Sequence, residues 1–132
     1  MPEAQVFFGA VFQNGSATFL ARIVGADGFV VTPSGIAAVK YDVFLLDEQE
    51  PDRQTPVPGH TDASLAVGDV IASTLQRDAI WTKDAIGYNF KHAIDVSSHQ
   101  AFALSDRQYR VAYQLTPTQG QAIVVRFCVH AI

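Results

Sequence analysis

Cysteine, methionine and tryptophan occur once each in the 132 residues. A lone thiol, Cys128, cannot close a disulfide within the chain, which fits a reducing compartment or a fold that needs no covalent staple. Charge is also sparse. Nine Lys and Arg stand against thirteen Asp and Glu, for a formal net charge of −4. The cations are scattered rather than clustered, which argues against a nucleic-acid or anionic-membrane partner. The opening Met1-Pro2-Glu3-Ala4-Gln5 lacks the basic start of a secretory signal. The longest apolar runs, such as Val6 to Phe12, are far too short to cross a bilayer. These absences lead to the expectation of a soluble protein made in the cytoplasm without a cleaved signal. There is no Gly-x-Ser-x-Gly elbow, internal repeat or strand–helix–strand rhythm, so the common α/β enzyme folds are disfavoured.

What the chain does have is apolar residues at 48% and strong alternation, enough for one β-rich domain spanning 1–132 with a core of its own. The clearest stretch is Arg107 to Ile132. Tyr109, Val111, Tyr113 and Leu115 alternate with Arg110, Ala112 and Gln114, and Val125, Phe127, Val129 and Ala131 alternate with Val124, Arg126, Cys128 and His130. Alternation places one set on each face of a strand, and the break from Thr116 to Gly120 supplies turn residues. This predicts a terminal β-hairpin onto which the rest of the chain packs.

Further strands are expected over Val6–Phe12, Thr18–Val24, Ala38–Leu46, Ser64–Val67 and Tyr88–Ile94, with a short extended piece at Phe29–Val31. Asn14-Gly15 predicts a hairpin turn between the first two strands. The proline-rich, acidic stretch Asp47–Asp62 reads as an exposed loop. Asp69, followed by Val70, Ile71, Thr74 and Leu75 at helical spacing, predicts one short helix near residues 69–75. Trp81 is expected to plug one end of the core, and Phe102 and Leu104 to tuck under the hairpin. The count is seven strands, arranged as an all-β, two-sheet sandwich.

The segment Tyr88-Asn89-Phe90-Lys91-His92, with Tyr109 to Pro117, resembles the last three strands of an immunoglobulin-like or fibronectin-type β-sandwich. A tyrosine at the start of the penultimate strand is typical of that fold, and Tyr41-Asp42-Val43-Phe44 falls where its third strand does. The inter-sheet cysteine pair of antibody domains is missing, which excludes a true antibody-type domain. The wider pattern, including Leu20 to Gly28 and Trp81 to Asp84, resembles small uncharacterised bacterial or phage-associated proteins. That resemblance implies an assembly or virion component and brings no activity with it.

Each candidate for chemistry has a plainer alternative. His92, His130 and Cys128 would make a metal or nucleophile cluster only if their strands converged, and a pair two apart on one strand is common by chance. Asp47, Glu48, Glu50 and Asp52 lack the regular spacing and glycine of a calcium loop. We therefore expect no catalytic, cofactor or metal residues and no enzyme. Trp81, Tyr88 and Phe102 could form a sugar-stacking platform on a sandwich edge, although such aromatics are more often core.

The sequence weighs most towards surface contact. Val6 to Phe12 is an uncharged apolar strand, and left as a bare edge it would invite pairing with another chain. Phe7, Phe8, Phe12, Phe29, Phe44 and Trp81 are the candidate contact residues. The expected function is a structural or interaction protein that self-associates or docks on other structural proteins, such as a phage-like capsid-decoration, head–tail or tail component. The alternative is a small ligand- or carbohydrate-binding module.

Overall fold

The computed structural model describes residues 5–25, 28–50, 52–81 and 85–132, with backbone alone for residues 5–9. Nine strands form two sheets. The larger contains β1 (Gln5–Val11), β3 (Ile36–Leu46), β4 (Gln54–Pro56), β5 (Ala63–Leu65), β8 (Arg107–Pro117) and β9 (Ile123–Ala131). Its order is β1-β9-β8-β3-β4, and β5 also pairs with β3. The smaller sheet contains β2 (Thr18–Ala21), β6 (Ile71–Gln76) and β7 (Tyr88–Ala93), in the order β2-β7-β6.

The terminal hairpin forms as its alternation requires. Tyr109, Val111, Tyr113 and Leu115 on β8, with Val125, Phe127 and Val129 on β9, are buried, and Arg126 lies exposed on the opposite face. Their pairing runs from Arg107 opposite Ala131 to Leu115 opposite Ile123. The second sheet closes over this face. Phe19 of β2 meets Phe127 at 4.6 Å between ring centroids, and Phe90 of β7 meets Tyr113 edge-on at 4.8 Å. Aromatic pairs at this separation add specific geometry to a core held mainly by apolar burial.

Several expectations need correction. Nine strands are present among the described residues, not seven. Residues 71–76 are strand β6, and the helix is a single turn, α1 (Val67–Val70). The spacing of Ile71, Thr74 and Leu75 fits a helix, but β-branched residues suit a strand equally well, and Ile71 pairs opposite Phe90 of β7. The acidic loop contains β4, whose three exposed residues carry no periodic signal and are fixed by pairing with Phe44 to Leu46.

Asn14-Gly15 does turn the chain. The Gly15 N–H donates to the Phe12 carbonyl (2.8 Å), and Asn14 has a φ of 61°. The turn makes no hairpin, because β2 crosses to the other sheet and β1 pairs in parallel with β9, Gln5 opposite Val125 through Val11 opposite Ala131. A local reversal does not choose a strand's partner. Phe29–Val31 contributes only an isolated bridge, Val24 to Val30. Phe102 is fully buried against Tyr109, whereas Leu104 is 45% exposed. Trp81 is half-buried and packs on Tyr88.

Candidate functional site

Three places combine geometry with chemistry. The first is the side of the sandwich where both sheets end. β1 is the outer strand of the larger sheet and β2 of the smaller. The two lie on either side of a groove of ≈ 470 Å³, lined by residues that include Ala10, Phe12, Thr18, Leu20 and Cys128. None of its described lining residues is charged. Phe12 is 74% exposed at its rim. The outer edges of β1 and β2 carry no further strand among the described residues.

The second is a cleft of ≈ 890 Å³ at one end of the sandwich. It lies between the loop that joins β2 to β3 and the loop that joins β8 to β9. Phe29, Val31 and Thr32 line it from the first loop, and Thr118, Gln119 and Gln121 from the second. Phe29 is 75% exposed. The first loop is held by Asn89, a buried polar residue of β7. The Asn89 Oδ1 accepts the Ile23 N–H (2.7 Å), and its Nδ2 donates to the carbonyls of Ile23 (3.0 Å) and Val31 (2.9 Å). The Val31 N–H donates to the Ile23 carbonyl, and the Thr118 N–H to the Gly35 carbonyl, each at 3.0 Å. The cleft is thus built before anything enters it.

The third is a network of phenols and imidazoles between the sheets. The buried His60 ring shares a 2.7 Å hydrogen bond from Nδ1 to the Tyr41 hydroxyl. Its Nε2–H donates to the His99 carbonyl (2.8 Å), since a carbonyl only accepts. In the neutral ring, Nδ1 therefore accepts from Tyr41. His92 Nδ1 meets the hydroxyl of the fully buried Tyr113 at 2.7 Å. Burial, helped by the neighbouring His60, pushes His92 from its usual 6.5 down to about 4. Burial also raises Tyr41 and Tyr113, so both phenols keep their protons. The arrangement ties the loops around residues 60 and 99 to the core. Among the described residues, no group of three or more His, Cys, Asp or Glu is placed to hold a metal ion.

The proposed clusters do not assemble. His92 faces inward on β7, whereas Cys128 and His130 lie on the outer face of β9, where His130 Nε2 meets the exposed Asp106 carboxylate at 3.1 Å. The acidic loop satisfies itself: Asp47 Oδ1 accepts the N–H groups of Gln49 and Glu50, both at 2.9 Å, which lowers its pKa, and Glu50 pairs with Arg53. Trp81 and Tyr88 form a ring pair, but Phe102 lies in the core beside Tyr109, so the three-ring platform is not formed.

Of the contact candidates, Phe12 and Phe29 are largely exposed, Phe44 and Trp81 are half-buried, and the side chains of Phe7 and Phe8 lie outside the described residues. The sequence assigns no role to Asn89 or His60. The one signal for Asn89 is an amide between Tyr88 and Phe90 on a strand whose neighbours are apolar. Nothing local marks His60.

No helix among the described residues is long and apolar enough to cross a membrane. The described chain is a β-sandwich with one short helix. Comparison with protein-family models, curated proteins and solved structures finds no match.

Proposed function

We propose that this chain is a non-enzymatic interaction module of immunoglobulin-like architecture that self-associates into a larger assembly through the side carrying β1 and β2. The strand order supports the architectural part. In immunoglobulin lettering, β2-β7-β6 corresponds to B-E-D, and β3, β8 and β9 to C, F and G, with β4 as C′. Tyr109 opens the F-like strand, and its hydroxyl accepts the Leu104 N–H (3.0 Å) a few residues upstream, as a tyrosine corner does. Val111, two residues on, is fully buried where antibody domains place the second cysteine, so an apolar side chain stands where that fold has a bridging one.

The observation that carries the functional reading is the placement of β1. In the constant-type immunoglobulin arrangement the first strand flanks B. Here β1 pairs with β9 instead, which among the described residues leaves β2 as an edge beside β1, with a groove between them whose described lining carries no charge. Two edges facing one groove can accept a strand from a second copy by backbone pairing. A phage-like particle, in capsid decoration, head–tail or tail, is one assembly that such a module would suit.

The test is solution mass by size-exclusion chromatography with light scattering. Ala10 and Thr18 are exposed on the two edge strands, and lysine there blocks edge pairing. The wild-type chain is expected to form a defined oligomer, and the Ala10→Lys, Thr18→Lys double variant to run as a monomer with an unchanged thermal midpoint. A wild-type chain that stays monomeric at every concentration overturns self-association, and an oligomer that survives both lysines overturns this side as its interface.

A further inference from the structure

We infer that the end cleft between the β2–β3 and β8–β9 loops is a binding site for a neutral saccharide. Four observations converge. The cleft is concave and of the size that small-ligand sites have, ≈ 890 Å³. It is pre-formed, because the amide of buried Asn89 holds the backbone on both limbs of the first loop. Preorganisation reduces the ordering cost that a bound ligand would otherwise meet. Phe29, a large aromatic, stands 75% exposed at its wall. And among the described lining residues there is no acid and no base.

The lining chemistry selects the ligand. Gln119 and Gln121 each carry a carbonyl that accepts and an amide that donates, and Thr32 and Thr118 add hydroxyls that do both. Such groups match vicinal hydroxyls, which also donate and accept. Phe29 offers a flat apolar face for the C–H face of a sugar ring. Among the described lining residues a charged ligand finds no counter-charge, and a wholly apolar one would desolvate the glutamines without replacing their hydrogen bonds. A protein partner is less well served: of the Tyr, Trp, Phe, Met and Arg that enrich the centres of such interfaces, the described lining holds Phe29 alone.

The experiment is a 1H–15N NMR titration of the full chain with neutral hexasaccharides: cello-, malto-, xylo-, manno- and chitohexaose. At least one is expected to shift the amides of Phe29 and Thr118 to Gln121 in a saturable way. Phe29→Ala is expected to weaken that binding by about tenfold or more, as loss of an aromatic anchor does, and Gln119→Ala with Gln121→Ala to act in the same direction. Both variants alter surface groups, and an unchanged thermal midpoint checks that the fold persists. If no hexasaccharide shifts these amides at millimolar concentration, or if binding is indifferent to Phe29→Ala, the inference falls. Because the cleft lies at the end of the sandwich and the groove along its side, the Ala10→Lys, Thr18→Lys monomer should bind the same sugar.

Discussion

Asn89 and His92 sit three positions apart on β7 and show two ways in which a polar side chain is kept inside. Asn89 is fully satisfied by three backbone hydrogen bonds. Asn89→Ala would orphan the Ile23 N–H and the Val31 carbonyl, while the Ile23 carbonyl keeps the Val31 N–H, and we expect a loss of about 2–3 kcal/mol in denaturant unfolding. Faster amide exchange at Ile23 and Val31 should accompany it. His92 is kept neutral. Its pKa falls from 6.5 in the unfolded chain to about 4 in the fold, so below pH 6.5 the unfolded state binds the extra proton. Its contribution is complete above about pH 6.5 and is lost as pH falls towards 4. The ring is only partly buried, so solvent reduces the effect to about 1–2 kcal/mol. Unfolding midpoints measured across that window should show the slope, and His92→Gln should flatten it.

At the scale of elements, the 95–106 connection shows how a loop is tied to a sheet. The Tyr109 hydroxyl takes the Leu104 N–H while its ring packs edge-on against Phe102 at 5.3 Å. Tyr109→Phe keeps the ring and removes the acceptor. We expect a cost of about 1 kcal/mol, read by chemical denaturation, with Leu104 amide exchange accelerated. The elements legible in the sequence were those with long, unbroken alternation: β8, β9 and β7, and most of β3. The start of β3 was set two residues late because a register shift between Ile36 and Ala38 breaks its alternation. β4 and β6 are not legible, because short strands are defined by a partner that local pattern does not reveal. The groove and cleft were less legible still. Phe12 and Phe29 were named as contact residues, but no local signal says that one rims a side groove and the other an end cleft. His60 reaches Tyr41 from nineteen positions away, a distance that no periodicity spans.

For the whole molecule, the parallel pairing of β1 with β9 has a consequence in time. A chain leaves the ribosome from its N-terminus, at about 5–20 residues per second. β1, an uncharged strand with the sequence QVFFGAV, is made well before its hydrogen-bonding partner, since Gln5 waits for Val125 and Val11 for Ala131. For on the order of ten seconds this apolar strand lacks the partner it pairs with in the fold. During synthesis it is available to a chaperone, or to the same strand on a neighbouring nascent chain, so many ribosomes on one message would bring copies together before any of them had finished folding.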